Sequence, residues 1–191
     1  MKEKLLILLF LPMLSSCVPE SEIVDEINLI SSIGFDYIDD ETILATITNP
    51  NFKEDNLVDS EIYTEEAKLV QEALHKIASS SERKLALGKL TVILIDEELA
   101  RRGIKAIKDM FVRDPSIGSR VRLAVVGGST NEIMQRQFWD NDAGIYLSNM
   151  FSQNIETSTI PKTNLHQFTY DLYSLGRDPI LPYLSVGEMV K

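Results

Sequence analysis

The segment from Leu90 to Ile95 constrains the fold more than any other feature of this chain. It reads Leu-Thr-Val-Ile-Leu-Ile, which is rich in β-branched residues and lacks the apolar and polar alternation of a strand with one solvated face. A strand of this composition is buried on both faces, as happens when helices cover both sides of a sheet. The segment therefore predicts a central strand, and Val121–Val126, which is followed by Gly127-Gly128, predicts a second one.

Amphipathic helical patterns surround these two strands. Asp96 is placed to cap a short helix that ends at Gly103, and Ser129 and Glu132 have the spacing of a capping box for another helix. Elsewhere apolar residues recur at helical spacing, and Gly or Pro supplies stop signals. These stretches are Ala67–Ala78 with Glu65 and Glu66 in its first turn, Ile104–Phe111 stopped by Asp114-Pro115, Ala143–Phe151, and Leu165–Leu175 stopped by Gly176. The last two are expected to face the sheet.

The remaining strands are predicted at the two ends of the folded region. Ile27–Phe35 and Thr42–Thr48 read as a hairpin with a polar turn at Asp39-Asp40-Glu41. Asn49-Pro50-Asn51 is expected to end the hairpin, and a polar loop is expected to reach about Ser60. Ile180–Val186 reads as a last strand, which Pro182 would place at an edge or a bulge. The whole pattern predicts an α/β or α+β domain with a mixed β-sheet that begins with a hairpin and is flanked by amphipathic helices.

The first sixteen residues have the three parts of an export signal. Lys2 and Lys4 are followed by the apolar run Leu5–Leu14, which is too short to span a bilayer, and then by small residues. Leu14-Ser15-Ser16-Cys17 resembles the lipobox of bacterial lipoproteins, in which the cysteine receives a diacylglycerol and becomes the new N-terminus. The alternative is an ordinary secretory signal with an accidental cysteine. We expect residues 1–16 to be a lipoprotein signal peptide and Cys17 to anchor the chain to the outer face of a membrane.

Composition limits the remaining possibilities. Cys17 is the only cysteine, so the chain has no intrachain disulfide. The net charge of -10 disfavours nucleic acid as a partner, since such binding depends on Lys and Arg at phosphates. Several acyl chains on one residue would suffice for stable anchoring. We expect a lipidated linker over residues 17–26 and one domain over residues 27–191.

A search for chemistry finds only weak signals. Gly127-Gly128-Ser129-Thr130 lies between a strand and a helix, where exposed amides favour an anion, although it lacks the Lys of a P-loop and Ser129 is already explained as a cap. Asp39-Asp40-Glu41, or Asp140 with Asp142, could hold calcium but lack the ligand spacing of a calcium loop. Solvated turns explain them better.

Catalytic residues are also missing from the sequence patterns. His75 and His166 are far apart, lie in predicted helices and have no metal-spaced partner. No Ser has the setting of a nucleophile elbow, and the only Cys is assigned to lipid. The sequence therefore predicts no enzyme activity, no cofactor and no metal site.

Three ordered stretches of the chain resemble the GerAC-type, or Ger(x)C, lipoproteins, the C subunits of nutrient germinant receptors in spore-forming bacteria. The first is Ile33-Gly34-Phe35-Asp36 followed by Ile47-Thr48-Asn49-Pro50. The second runs from Ser81–Gly88 through Leu90–Ile95 to Glu97–Ile104, and the third is Phe111–Pro115 leading to Leu123–Val126. Departures are Val18-Pro19, where relatives often have Trp-Asp, and Lys89, where a His is common.

The resemblance implies that the protein works by assembling with other subunits. Members of the family have no known enzyme activity and work with an A subunit and a B subunit at the inner spore membrane. Arg113 could pair locally with Asp114 or contact a partner. Full-length relatives continue through further domains, so we expect this chain to be the N-terminal domain only, as a fragment or a truncated product. The alternative function is that of a lipid-anchored extracytoplasmic solute-binding protein.

Overall fold

The computed structural model describes residues 27–52, 58–136, 138 and 142–185. The predicted signal peptide, Cys17, the linker to residue 26, Asp140 and residues 186–191 lie outside these ranges. The strands are β1 (Ile27–Leu29), β2 (Ser32–Asp39), β3 (Thr42–Phe52), β4 (Val58–Ala67), β5 (Lys84–Ala86), β6 (Val92–Asp96), β7 (Arg122–Gly127) and β8 (Tyr183–Ser185). The helices are α1 (Val70–Ser80), α2 (Glu97–Arg102), α3 (Lys105–Arg113), α4 (Thr130–Met134), α5 (Ala143–Glu156) and α6 (Leu165–Tyr173).

A mixed six-stranded sheet organises the fold, in the order β4-β3-β2-β6-β7-β8. The β2–β3 and β3–β4 pairs are antiparallel, whereas β2, β6, β7 and β8 run parallel to one another. We call the edge of the sheet at the carboxyl ends of the parallel strands the upper edge, and the edge at their amino ends the lower edge. The predicted mixed sheet with an initial hairpin and flanking helices is confirmed, in the α+β class.

Strand β6 is buried because both of its faces carry a hydrophobic core. Ile93 and Ile95 point into one core with residues of α1, α3 and α6, while Val92 and Leu94 point into the other with residues of α4 and α5. All four side chains are fully buried. The absence of alternation in the sequence follows from this arrangement, since each residue must be apolar whichever way it points.

A second, two-stranded sheet lies just below the main one. Strands β1 and β5 pair in parallel, with Ile27 opposite Lys84 and Leu29 opposite Ala86. β1 leads directly into β2, and β5 leads through a 3₁₀ turn at Leu87–Lys89 into β6. Both strands therefore lie below the lower edge.

The predicted helix caps are confirmed. The Asp96 carboxylate accepts a hydrogen bond from the Leu99 amide at 2.5 Å, and Gly103 ends α2 with a φ of 110°. The Ser129 hydroxyl accepts from the Glu132 amide at 3.3 Å at the start of α4. Asp96 and Ser129 cap their helices because a side-chain oxygen accepts a hydrogen bond from an amide that the first helical turn leaves without a partner.

The sequence reading of the region after the hairpin is wrong. β3 continues through Pro50 to Phe52, and β4 occupies residues predicted as a loop and as the first turn of a helix, including Glu65 and Glu66. β3 extends past the start of β2 and is paired only with β4 from Asn49 onward, so a proline without an amide proton fits there. Ile27–Phe35 is likewise not one strand but β1 and β2.

The prediction for α6 is only partly right. Its Leu165 and Phe168 are buried against the sheet, as expected, but Leu172 is 39% exposed and Leu175 is fully exposed beyond the end of the helix. The predicted last strand is confirmed as β8, which pairs with the outer side of β7 immediately after Pro182. No helix in the described ranges combines the length and the apolar character needed to cross a bilayer.

Candidate functional site

The weak candidate for an anion site at the start of α4 is filled by a side chain of the protein itself. The Asp36 carboxylate accepts hydrogen bonds from the amides of Thr130 (2.6 Å) and Asn131 (2.9 Å) and from the hydroxyls of Thr130 (2.9 Å) and Ser129 (3.2 Å). Asp36 is only 6% exposed. The amides and hydroxyls at this helix start therefore bind the Asp36 carboxylate, in agreement with the structural role that the sequence favoured.

Gly34 allows α4 to approach β2 closely. A Cβ atom at this position would lie 2.4 Å from the Thr130 hydroxyl oxygen and 2.6 Å from the Met134 sulfur. Asn131 extends the same contact to the hairpin by donating to the hydroxyls of Thr46 (2.8 Å) and Thr64 (3.2 Å). The Gly34 and Asp36 positions of the first resemblance stretch therefore clamp a helix onto a strand.

Asp142 has a comparable structural role at the start of α5. Its carboxylate accepts from the amides of Gly144 (2.9 Å) and Ile145 (3.2 Å) and from the hydroxyls of Ser31 (2.5 Å) and Ser60 (3.0 Å). The side chain is completely buried. Of the two residues considered for calcium, Asp140 lies outside the described ranges, and the oxygens of Asp142 are occupied by donors of the protein.

The other candidate ligands are dispersed. Asp40 pairs with Arg102 and accepts from the Tyr37 hydroxyl, and Glu41 pairs with Lys68 at 2.5 Å, so the acidic turn is held by neighbouring cations. His75 and His166 are exposed on α1 and α6. Among the described residues, no three His, Cys, Asp or Glu side chains are grouped as a metal site would require.

The partly buried position of Asp96 disfavours the charged form of its carboxyl group. Burial raises the pKa of its carboxyl above the ordinary value of 3.8, and the charges of Asp36 and Glu98 act in the same direction. Hydrogen bonds from the amides of Tyr37 (2.9 Å) and Leu99 oppose this shift. Asp96 lines a shallow depression at the upper edge with Asp36 and Tyr37. A capping role accounts for these contacts, and the Ser129 hydroxyl in the same depression donates to Asp36 and caps α4.

A large cleft lies along the upper part of β7 and β8. Its volume is about 810 Å³, and its walls are mainly apolar, with a few charged and phenolic groups. Tyr183 forms part of one wall, where its ring lies over Gly127 and its hydroxyl donates to Glu97 at 2.8 Å. The apolar lining consists of Ala100, Ile104, Val125, Phe168, Leu172, Pro179 and Leu181.

Lys108 lies in the wall of this cleft and is almost completely buried. Its ammonium pairs with Asp109 at 2.5 Å, donates to the Tyr173 hydroxyl and lies 4.2 Å from the centre of the Tyr173 ring. Burial alone lowers the pKa of Lys108, but the hydrogen bonds to Asp109 and Tyr173 outweigh burial and leave the pKa above its ordinary value. Lys108 is therefore a charged and internally satisfied group.

Exposed apolar side chains lie on the segments that line this cleft, and Leu172, Tyr173 and Tyr183 belong to its wall. We call them the C-terminal patch: Tyr170, Leu172, Tyr173, Leu175, Ile180 and Tyr183, with exposed fractions from 39% to 102%. Several large apolar side chains exposed in one part of the fold are typical of an interaction site. The sequence analysis missed the patch because it assigned Leu172 and Leu175 to the core. Tyr170 and Tyr173 do not fit the apolar stripe of α6, and this mismatch was the sequence signal for an exposed apolar surface.

A second cleft, of about 630 Å³, lies between α1, α3 and the small sheet. Two resemblance stretches meet there, since Leu85 and Leu87 come from one and Arg113, Asp114 and Pro115 from the other. The local pairing considered for Arg113 is not formed among the described residues. Asp114 instead accepts from the amide (2.9 Å) and the hydroxyl (2.7 Å) of Ser116, and Arg113 is exposed.

Comparison with known proteins gives a consistent result. The family model for the spore germination protein N-terminal domain matches residues 20–186. Spore germination protein GerQC of Bacillus cereus is 27% identical over 186 residues, which cover 97% of this chain and 52% of the relative. Putative spore germination protein YfkR of Bacillus subtilis (strain 168) is 24% identical over 119 residues, which cover 62% of this chain and 30% of the relative. The chain thus spans about half the length of the first relative and less of the second. No solved structure matches it.

Proposed function

Because this chain belongs to the family of spore germination protein N-terminal domains, we propose that it acts as the first domain of a C-subunit lipoprotein of a nutrient germinant receptor. Its role is assembly with the A and B subunits at the inner spore membrane. The family resemblance predicted from the sequence is confirmed, and the subunit role, the partners and the compartment form the proposal. The relatives named above are spore germination proteins and not known enzymes, which agrees with a role in binding.

The anchor in this proposal is a lipid on Cys17. Its support is the sequence Leu14-Ser15-Ser16-Cys17 after an apolar run of export-signal length. The described fold begins at Ile27, so a short linker separates the lipid from the first strand. A diacylglycerol and a further acyl chain together give stable membrane attachment without a protein segment in the bilayer.

The observation that carries the assembly role is the C-terminal patch. It presents three tyrosines, a residue type that is enriched in interface hot spots, together with three aliphatic side chains, and three of these six residues line an apolar cleft. The surrounding described residues supply no catalytic arrangement that would explain such a surface. We therefore assign the patch as the surface through which this domain docks on the other receptor subunits.

The anchor is tested by metabolic labelling with a clickable fatty acid in sporulating cells. Wild type and Ser16→Ala, which keeps a small residue before the cysteine, are expected to be labelled and to fractionate with the inner spore membrane. Cys17→Ala is expected to be unlabelled and to lose germination at normal expression. A labelled Cys17→Ala protein, or unchanged germination in a strain without redundant receptors, would reject the anchor.

The docking surface is tested with Leu175→Asp, because Leu175 is fully exposed and its replacement removes no core contact. We expect normal protein levels, an unchanged thermal midpoint and at least a tenfold loss of co-purification with the A and B subunits. Val112→Asp is the matched control, since Val112 is 48% exposed and lies on α3 outside the patch. Equal effects of the two variants would show that the patch has no special role.

The cleft supports a second candidate function, the capture of a small solute. Its volume of about 810 Å³ lies within the range of ligand sites, and Arg101 and Lys108 adjoin an apolar lining. A thermal shift screen with amino acids and sugars separates the two functions. A ligand at 100 times its dissociation constant adds about 2.7 kcal/mol to the free energy of unfolding and raises the midpoint. Under the assembly role no such shift is expected.

A further inference from the structure

Several ion pairs of this domain lie away from the lower edge of the sheet. The described pairs use Lys68, Arg101 and Arg102 near the upper edge, Lys76 against the upper end of β4, Lys108 in the large cleft, and Arg177 beyond the upper end of α6. Their partners are among the acidic residues that give the chain its net charge of -10. The cations in the upper part of the domain are therefore neutralised by neighbouring acidic residues, and this part remains acidic overall.

The lower edge has a different composition. We call the following exposed cations the lower rim: Arg83, Lys89, Arg113, Arg120 and Lys162. None of them forms an ion pair within the described ranges. Acidic residues described near them include Glu82, which is exposed, and Asp114, which is engaged by Ser116. Glu61, at the lower end of the hairpin strands, is bonded to Asn49 and Asn51.

The topology brings the lower rim together from distant parts of the sequence. Arg83 precedes β5, Lys89 precedes β6 and Arg120 precedes β7, so all three lie at or below the amino ends of parallel strands. Arg113 ends α3, the helix that returns the chain from the upper end of β6 to the start of β7. Lys162 lies just before Asn164, which forms a β-bridge with Arg122.

The chain also enters the fold at this edge. β1 begins at Ile27, directly opposite Lys84 in the small sheet. Cys17 lies ten residues earlier in the sequence. Ten residues of chain cannot span more than about 35 Å even when fully extended. A lipid on Cys17 would therefore hold the lower rim close to the bilayer surface.

From these observations we propose that the lower rim lies on the phosphate groups of anionic phospholipids and orients the domain with its upper edge away from the membrane. The proposal rests on the lipid anchor of the proposed function. An anionic surface repels a chain of this net charge at long range, so contact is favoured where the unpaired cations are concentrated. Each cation close to such a surface strengthens binding about fivefold.

The test uses the processed chain purified from cells, with its acylation state read first by mass spectrometry. Hydrogen exchange is measured on nanodiscs of phosphatidylcholine alone and with 30% phosphatidylglycerol, or with vesicles of the same compositions if the chain is not acylated. We expect exchange in residues 82–90, 113–122 and 160–166 to slow at least fivefold with phosphatidylglycerol, and to recover in 0.5 M NaCl. Segments at the upper edge should not change.

Two variants of equal net charge make the test specific. One changes the five lower-rim cations to Gln, and the other changes Lys68, Lys76, Arg101, Arg102 and Arg177 to Gln. Loss of protection in the first variant alone supports the proposal. Equal loss in both, no difference between the lipids, or protection at the upper edge overturns it. If the rim variant loses germination without any lipid-dependent protection, the rim contacts an acidic protein instead. Failure of the anchor is seen separately in the mass.

Discussion

At the scale of single residues, Asp36 and Gly34 explain why one short stretch has the sequence it has. Both lie on the same face of β2, two positions apart, and both meet the short helix α4. Gly34 leaves room for the helix, and Asp36 satisfies the amides and hydroxyls at its first turn. Neither residue can be replaced without changing this contact.

Substitution of Gly34 is therefore expected to destabilise the domain. A Cβ atom at 2.4 Å from the Thr130 hydroxyl oxygen forces α4 to move, and Gly34→Ala should lower the free energy of unfolding by about 1–3 kcal/mol. Urea denaturation followed by circular dichroism measures this. Gly118→Ala is the control, because no atom lies within 4 Å of the added carbon and the effect should stay within about 0.5 kcal/mol. Similar losses for both variants would contradict the close-packing explanation.

Asp96 gives a pH dependence with a defined sign. Burial raises the pKa of its carboxyl above 3.8 in the folded state, so the unfolded chain releases the proton first as the pH rises. The contribution of Asp96 to stability is therefore complete below pH 3.8 and falls as the pH passes from 3.8 through the raised value. Asp96→Asn keeps a cap and stays neutral. The stability of this variant relative to wild type should rise across that window in urea titrations at several pH values.

Asp39 provides the opposite case for comparison. A hydrogen bond from the Glu41 amide lowers the pKa of the Asp39 carboxyl, so its contribution is present above pH 3.8 and is lost as the pH falls through the lowered value. Asp39→Asn should therefore become less stable relative to wild type as the pH rises. Slopes of the same sign for the two variants would show that the environment of Asp96 has been misread.

At the scale of elements, α1 begins without a side-chain cap. Leu69 occupies the N-cap position with an extended backbone and is 64% exposed, and Glu72 already bonds back to the Lys68 amide at 3.2 Å. Leu69→Ser should add the missing acceptor and raise the free energy of unfolding by about 0.5–1 kcal/mol. Calorimetry would detect a higher midpoint. Val112→Ser removes an exposed apolar residue without creating a cap, and an equal gain there would argue against capping as the cause.

The elements differ in how well the sequence predicts them. β6, β7 and the caps at Asp96, Ser129 and Gly103 follow from local chemistry, and the structure has them where predicted. β4 was not predicted, because Glu61, Glu65 and Glu66 are acceptable only on an edge strand, and edge position depends on the sheet order. Leu172 and Leu175 fit a helical stripe, yet α6 ends before the stripe does.

The candidate site was less predictable than the fold. Gly127–Thr130 was only a weak anion-site candidate in the sequence, and the group that occupies it, Asp36, is 91 residues before Gly127 and reaches it only through the sheet. The C-terminal patch and the large cleft combine residues of α2, α3, α6 and β8, and no local pattern brings these together. The proposed lipidation of Cys17 rests on the sequence Leu14-Ser15-Ser16-Cys17 and not on the fold, so it could be inferred from the sequence alone.

At the scale of the whole molecule, β6 joins the two cores into one cooperative unit. Ile93 and Leu94 are adjacent and fully buried, but they point into opposite cores. Ile93→Ala and Leu94→Ala should each lower the free energy of unfolding by about 2–5 kcal/mol. Both variants should shift a single transition in circular dichroism and in hydrogen exchange. Ile38→Ala, at a position that is 42% exposed, should have little effect. Separate transitions for the two faces would show that the cores fold independently.

The parallel direction of β2, β6 and β7 sets the distance between the point where the chain enters the fold and the large cleft. Chain entry lies at one end of these strands and the mouth of the large cleft towards the other, and the eight residues of β2 span roughly 25 Å. On a bilayer the domain would serve as a spacer of fixed height. A partner that docks at the C-terminal patch would then have to extend about 25 Å from the lipid head groups. The height of the partner above the membrane would therefore matter as well as its surface.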